Sequence, residues 1–372
     1  MQNKKIKVLH VIPGFGGGIS SFVKDIALGN NSSAVINDVV GFNYYPNYFA
    51  NIIKHQNGNC FTLSNFHKKP FETLQDFRKI LLKGGYDVLH CHLLGYKGFI
   101  FKLIAKHYHI ELIITHAHTT NNDDNTIFKS IRKRINQIFS RALSDQYFAC
   151  GKIAGKYVFG ATTKKIKIIP NGIQFDKWVG KVDECEKSKL KQELLLSEDN
   201  INIINIGRFS LQKNHDFIID ICHVLKTRGV KFKCYLCGEG ELHDSIKYKV
   251  NKLELQDNVI FLGFRNDVQN VLKLMNFVIL PSFYEGLPTV IVESQAAGIP
   301  ALLSNKITTE VDFGLGLVTF LSIDDAKVWA DKICKEVLYN QIPSPDSRLK
   351  EFDKRGYTLE SMQRIYIEGL LS

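Results

Sequence analysis

The stretch that most constrains the fold is residues 277–298, FVILPSFYEGLPTVIVESQAAG. Phe277-Val278-Ile279-Leu280 is a short block of β-branched and aromatic residues, the composition of a strand buried on both faces, and Pro281 stops it. Beyond it the chain must turn. Gly286 permits the turn, and Pro288 fits the first position of a helix, where a missing amide proton costs nothing. A helix that starts at the carboxyl end of a parallel strand concentrates free N–H groups and partial positive charge, a cradle for a phosphate. Glu285 lies in the loop before that helix and Glu293 in its second turn, so the two carboxylates flank the cradle. Each is placed to accept hydroxyl hydrogen bonds from one side of bound phosphates, which suits a nucleotide sugar. Both also fit ordinary solvated charges, but Glu293 falls between the apolar Val290, Ile291, Ala296 and Ala297 instead of opposite them.

The same strand, glycine turn and helix recur along the chain. Residues 6–13 form an apolar run ending in Gly14-Phe15-Gly16-Gly17-Gly18, with a helix expected over 19–28. This is not the dinucleotide fingerprint, because Ile19 stands where the third glycine would be. Strands are expected at 35–42, 87–90, 111–115 and 166–169, and helices at 71–83, 96–107 and 127–143. After Pro170-Asn171-Gly172-Ile173 the sequence turns polar over 177–200, and the pattern restarts at 201–206 with Gly207-Arg208-Phe209. Further strands at 232–237 and 259–262 lead into Gly238-Glu239-Gly240 and Gly263-Phe264-Arg265, and a last strand at 317–320 precedes terminal helices. At 372 residues this α/β alternation suits two domains.

Three groups outside the opening stretch carry chemistry. Arg208 and Lys213, five residues apart after a parallel strand, suit the clamping of a diphosphate, although basic residues in such loops are often plain surface charges. His90-Cys91-His92 and His116-Ala117-His118 place four imidazoles at neighbouring strand ends. No carboxylate accompanies them at ligand spacing, so a metal-free polar role is favoured over a zinc or iron site. Residues 127–143 form the clearest amphipathic helix, with Phe128, Ile131, Ile135, Ile138, Phe139 and Leu143 at helical spacing and Lys129, Arg132, Lys133 and Arg134 between them. It reads either as a cover for the sheet with a solvated basic face or as a helix that docks on anionic lipid.

Charge sharpens that choice of partner. The chain carries 48 Lys+Arg against 37 Asp+Glu, and the first 176 residues hold 23 of the former against 10 of the latter. No aromatic-interleaved basic run supports nucleic acid, so an anionic membrane surface or a pyrophosphate-bearing acceptor is the expected partner of the basic half. No apolar run reaches the roughly 18–20 residues of a membrane span and no secretory signal is visible, which places the protein in the cytoplasm. The eight cysteines read as reduced; Cys234-x-x-Cys237 lies inside a strand and lacks a second pair.

These motifs resemble those of the family 4 glycosyltransferases, retaining enzymes of the GT-B fold and similar to bacterial capsular and exopolysaccharide enzymes. Glu285-Gly286-Leu287-Pro288 with Glu293 matches the family's E-x7-E signature, and the Gly17-Gly18 loop, HAHT, PNGI, GRF with lysine and GEG follow in the family's order. The resemblance implies two Rossmann-like domains facing across a cleft: an acceptor-binding domain over 1–172, to which a terminal helix at about 356–372 crosses back, and a donor-binding domain over 173–355. It implies that Glu285 contacts the donor sugar and Glu293 the ribose. Arg208 and Lys213 would neutralise the leaving diphosphate, and His118, with His116 second, would stand near the sugar as catalytic groups. Gly17, Gly18, Asn171, Gly238, Phe264, Gly286, Leu287 and Pro288 would complete the donor site. No metal or other cofactor is expected; the partners implied are a nucleotide sugar, UDP-linked by family habit, and a polyprenyl-pyrophosphate-linked acceptor, which would hold the enzyme peripherally on the inner membrane face. Relatives often carry glutamate just beyond the glycine pair, where this chain has Ser20-Ser21. The rival readings are a nucleotide-sugar epimerase of the same fold, a nicotinamide-dependent oxidoreductase, and a membrane-attached binding protein.

Overall fold

The computed structural model describes residues 5–15, 18–28, 34–42, 44–118, 127–161, 165–336 and 341–372. They divide into two compact units, Met1–Ile173 with Arg355–Ser372, and Gln174–Lys354.

The first unit is a sheet of seven parallel strands, β1 (Ile6–Val11), β2 (Val35–Gly41), β3 (Cys60–Thr62), β4 (Val88–Cys91), β5 (Leu112–Ala117), β6 (Gln146–Ala149) and β7 (Ile166–Ile168), in the order β3-β2-β1-β4-β5-β6-β7. Its helices are α1 (Gly18–Leu28), α2 (Asn47–His55), α3 (Pro70–Gly84), α4 (Gly95–His107), α5 (Ile127–Arg141) and α6 (Lys152–Phe159). The second unit carries α7 (Phe175–Val179), α8 (Glu184–Glu193), β8 (Ile201–Ile206), α9 (His215–Thr227), β9 (Phe232–Cys237), α10 (His243–Lys252), β10 (Val259–Gly263), α11 (Val268–Leu272), β11 (Phe277–Leu280), α12 (Thr289–Ala297), β12 (Ala301–Ser304), β13 (Val318–Leu321), α13 (Ala326–Glu336) and α14 (Pro345–Arg355). Its six strands are also parallel, in the order β10-β9-β8-β11-β12-β13.

Both orders reverse direction once, between β1 and β4 in the first unit and between β8 and β11 in the second. At such a reversal the connections leave to opposite sides and open a crevice at the strands' carboxyl ends, where ligands of this fold class bind. The buried strands are β-branched and aliphatic because both faces are covered: Val278, Ile279 and Leu280 are fully buried, as are Ile203 and Ile204 beside them.

The last helix, α15 (Leu359–Leu371), returns to the first unit. Thr358 starts it with a capping box, its side chain accepting from the Ser361 amide while Ser361 answers to the Thr358 amide. Leu359, Met362, Tyr366 and Leu370 then join the core formed by β1, α1 and Phe148, each such side chain contributing about 1.5–3 kcal/mol by its burial. Gly172 has no room for a side chain, since a Cβ would lie 2.8 Å from the Thr358 carbonyl oxygen and 2.9 Å from Met362.

Three expectations are corrected. Pro288 caps α12 instead of occupying its first turn, and the helix begins at Thr289. Lys213, which the sequence suggests at the start of a helix, instead ends a short 3-10 turn, Leu211–Lys213, and α9 starts two residues later. Most consequentially, α5 does not cover the sheet with its isoleucines: Ile131, Ile135 and Ile138 face solvent, while Ser140 is buried and Gln137 turns inward to donate to the Tyr157 carbonyl. The side chains of 127–129, Phe128 and Lys129 included, lie outside the described residues.

Candidate active site

In the second unit the candidate residues gather where the strand order reverses. Gly207-Arg208 follows β8 and Pro281 follows β11, the two strands that pair across that point. Lys213 Nζ lies 2.8 Å from Glu285 Oε1, with both side chains largely buried, and Gln212 Nε2 donates to the Tyr284 carbonyl (3.0 Å) and to Glu285 Oε2 (3.3 Å). The Phe283 amide donates to the Gln212 carbonyl at 2.9 Å. These bonds tie the loop after β8 to the loop after β11 and fix Glu285 beside its lysine. Asn214 reinforces the tie by donating to the Pro281 carbonyl.

Arg208 is not part of that pair. Its guanidinium is exposed and meets Glu241 at 3.1 Å, a residue the sequence did not single out. Gly238 is held by close approach: with φ of +146° a Cβ there would sit 2.1 Å from the Gly207 carbonyl oxygen. Gly240 is confined in the same way against Phe209, so the turn after β9 presses backbone on backbone beneath Arg208. Phe264 follows β10 and is 73% exposed.

Gly286, Leu287 and Pro288 lead into α12, whose first amides lack helical partners. Val290, Ile291, Val292, Gln295 and Ala296 bury that helix. Glu293 sits half-buried among them, and its carboxyl makes no ion pair or side-chain hydrogen bond among the described residues. Burial pushes its pKa up to about 7. A carboxylate kept out of water and left without a donor is suited to accept hydroxyl hydrogen bonds from a ligand. Beneath the site, His215 stacks on Phe209 with centroids 4.2 Å apart, and burial lowers its pKa to about 4.

In the first unit the histidines form a layer larger than the sequence suggested. His116 lies within β5, not after it, and is fully buried, whereas His118 just beyond the strand is the more open of the two. His10 of β1 joins them; it is in register with His90 across the β1/β4 pair. One chain of hydrogen bonds runs from Asn37 Oδ1 to His10 Nε2 (3.0 Å), from His10 Nδ1 to His92 Nε2 (3.2 Å) and from His92 Nδ1 to His118 Nε2 (2.8 Å). A second runs from the Tyr366 hydroxyl to His90 Nδ1 (3.2 Å) and from His90 Nε2 to His116 Nδ1 (3.1 Å).

With Asn37 Oδ1 as acceptor, each ring of the first chain must donate through Nε2 and accept through Nδ1, which leaves His118 Nδ1 as a bare lone pair. That atom and His116 Nε2 are both buried and have no partner among the described residues. Burial, the largest cause, together with the neighbouring imidazoles holds His90, His92 and His116 neutral and lowers His118 to about 3, while at His10 burial outweighs the opposing pull of Asn37 and Asp38 and lowers the ring to about 4. Two sets of three, His10/His90/His92 and His92/His116/His118, are close enough to hold a cation, but doing so would take lone pairs already used between rings. Asn171 Oδ1 is likewise buried without a partner, Gly18 opens α1, and Gly17 lies outside the described residues.

The histidines of β4 and β5 and the second-unit loops were legible as motifs; His10, Asn37, Tyr366, Gln212 and Glu241 were not. The only sequence signal for His10 was its place three residues before the end of the first apolar run, and nothing marked Tyr366 as its neighbour.

Comparison with known proteins agrees with this arrangement. The model described as "Glycosyltransferase Family 4" matches residues 16–177, and that described as "Glycosyl transferases group 1" matches 186–313. EpsF of Bacillus subtilis strain 168 is 28% identical over 90% of this chain and 88% of its own length. An Escherichia coli UDP-Gal:alpha-D-GlcNAc-diphosphoundecaprenol alpha-1,3-galactosyltransferase is 26% identical over 64% of this chain and 62% of its own. Among solved structures, Anabaena HepE in complex with UDP and glucose superimposes with a TM-score of 0.79 at 18% identity, over 98% of this chain and 99% of HepE. With two parallel-sheet units in this order and both family models matched across most of its length, the chain belongs to the family 4 glycosyltransferases of the GT-B fold.

Proposed function

We propose that this glycosyltransferase takes a hexosyl or N-acetylhexosaminyl group from a UDP-sugar and passes it, with retention, to a lipid-linked saccharide acceptor in surface polysaccharide synthesis. The observation that carries the reading is the gathering of Lys213, Glu285, the Gly238 turn and the N-terminus of α12 where the second sheet reverses. A UDP-sugar donor and a diphosphoundecaprenol-linked acceptor in the name of the E. coli relative, and UDP bound to HepE, support the choice of substrates.

In this reading residues 173–355 hold the donor and residues 1–172 with 356–372 hold the acceptor. Glu293 accepts from the ribose, Glu285 from the sugar, and Phe264 lies alongside the base. Arg208, Lys213 and the α12 N-terminus stabilise the charge that develops on the diphosphate, so that no metal is needed. The sugar C1–O bond breaks with its electron pair on the leaving diphosphate. The acceptor hydroxyl forms the new C1–O bond on the same face and yields its proton to the departing phosphate oxygen. His118, with its bare Nδ1, is the first unit's candidate acceptor for a substrate hydroxyl, and the buried His116 stacks against its ring. The enzyme works at the cytoplasmic face of the membrane; no described helix is long and apolar enough to cross it.

The test is calorimetric titration of UDP, GDP and NAD without added metal, on the native chain and on Arg208→Ala and Glu293→Ala. UDP should bind, and each substitution should weaken it by about 1–3 kcal/mol. Failure of all three to bind, or binding indifferent to both substitutions, refutes the reading.

A further inference from the structure

In the strongly basic first half of the chain, residues 39–53 carry no charged side chain and hold three tyrosines and three asparagines. They form the end of β2, the loop beyond it and most of α2. Tyrosine supplies a rigid ring and asparagine an adaptable amide, a combination suited to neutral, hydroxyl-rich ligands. The fold builds an aromatic stack from them. Phe15, in the turn after β1, lies edge-on to Tyr45, with ring centres 5.5 Å apart, and to the buried Phe49 at 5.2 Å. Its ring presses on Gly41, where a Cβ would sit 2.6 Å from Phe15 Cε2. Tyr44 then lies flat on Tyr45, with ring centres 5.7 Å apart and planes within 10°, and its hydroxyl donates to Asn47 Oδ1 at 3.3 Å. Yet Tyr44 is 76% exposed, and Tyr48 at the start of α2 is 63% exposed. A ring held from behind with its outer face open loses little freedom when a ligand covers it.

Position and chemistry narrow the ligand. β1 and β2 run in register to Val11 and Val40, so the stack stands at the carboxyl ends of the first sheet, where the reversal between β1 and β4 opens its crevice. Along β2-β1-β4-β5, three strand spacings, about 14 Å, separate it from the end of β5 and His118. A saccharide that reaches from His118 to Tyr44 is longer than one sugar residue. A pyranose has a face of C–H groups with partial positive charge, which suits the negative face of an aromatic ring, and a rim of hydroxyls, which suits the exposed Asn47, Tyr48 and Asn51. A phosphate or an anionic headgroup would find no cation in this stretch. Two exposed tyrosine rings offer roughly 300–500 Å² at most, well short of the about 800 Å² that a protein partner covers.

We propose that Tyr44, backed by Tyr45, is a stacking platform for a pyranose residue of the acceptor saccharide, one remote from the hydroxyl that receives the sugar. Asn47, Tyr48 and Asn51 bond the hydroxyls at its rim. The inference rests on the proposed saccharide acceptor and assigns it a second subsite in the first unit, so that the enzyme selects an acceptor longer than a single residue.

The experiment is saturation-transfer NMR on the full chain, titrated with the methyl glycosides of glucose, galactose and N-acetylglucosamine. At least one should bind the native chain, with the strongest transfer to the protons of one ring face. Tyr44→Ala should weaken that binding at least about fivefold, and Tyr44→Phe, which keeps the ring, should restore it. Tyr44 is mostly exposed, so the alanine variant should keep the native melting temperature. Glu285→Gln, in the second unit, should leave the glycoside affinity as it was. No binding by any of the three glycosides, an affinity indifferent to Tyr44→Ala, or a loss caused by Glu285→Gln and not by Tyr44→Ala overturns the proposal. UDP titration of the same samples keeps the two readings apart. Glycoside binding that depends on Tyr44 in a chain that fails to bind UDP sinks the donor reading and leaves the platform standing, whereas UDP binding with glycosides indifferent to Tyr44 sinks the platform alone.

Discussion

Replacing Glu293 by glutamine should stabilise the protein at pH 8 while weakening its hold on nucleotide. Burial raises this carboxyl from 4.5 to about 7, so between those values the folded chain binds a proton that the unfolded chain has released. Stability from that group is fully present below pH 4.5 and is lost as pH rises through 7. At 1.36 kcal/mol per pH unit the full interval amounts to roughly 3 kcal/mol, and about 2 kcal/mol is a fair expectation for a side chain that is only half-buried. Glutamine has the shape of the protonated acid and pays no such penalty. Thermal unfolding of both proteins at pH 4.5 and pH 8 reads the effect as a difference of differences, in which every other titrating group cancels. The variant should match the native chain at pH 4.5 and melt roughly 4–8 °C higher at pH 8, at about 2–4 °C per kcal/mol for a unit of this size. UDP affinity at pH 8 should meanwhile fall by about tenfold, since a neutral amide is the weaker acceptor for ribose hydroxyls. A variant no more stable than the native chain at pH 8, or equally stabilised at both pH values, would refute the burial argument whatever happens to binding.

Four further outcomes follow from the geometry. Gly238→Ala sets a Cβ against the Gly207 carbonyl oxygen at a φ of +146° and should cost about 2–4 kcal/mol in chemical denaturation. Lys213→Met should weaken UDP binding at least tenfold, and Glu285→Gln in the same background should recover stability without recovering UDP affinity, because the pair's partner carboxylate is then no longer left unpaired. Tyr366→Phe removes the hydroxyl bonded to His90 Nδ1 and should cost about 1–2 kcal/mol of stability in urea titrations. Burial lowers Lys102 to about 8, so the native chain should gain stability between pH 8 and 10 relative to Lys102→Met, as the unfolded chain there holds more protons.

The second unit was the more legible half because its site is local. Arg208 and Lys213, the Gly238 turn, and Glu285 with Glu293 each sit within a few residues of a strand end, where hydrophobic runs and glycines mark position directly. β3, β6 and β12 left no such mark: CFT, QYFA and ALLS are three or four residues long, and their strand character comes from neighbours that complete the ladder. The histidine layer needed the pairing of β1 with β2 and β4 and the return of α15, none of which spacing encodes. For α5 the apolar period was visible, yet periodicity states only that two faces differ. Which face turned inward was decided by Lys102, Ser140 and Gln137, whose polar bonds to neighbouring helices and strands outweighed the isoleucines.

The return of α15 also sets an order of assembly on the ribosome. Residues 174–354 form a contiguous unit and can fold as soon as they emerge, whereas the first 173 residues wait, through the synthesis of that whole unit, for the helix that seats Met362 and Tyr366 against the histidine layer. A nascent chain stalled before residue 359 therefore carries a finished second unit beside a first unit with an open wall, and any such fragment should be cleared by proteolysis from its amino-terminal part.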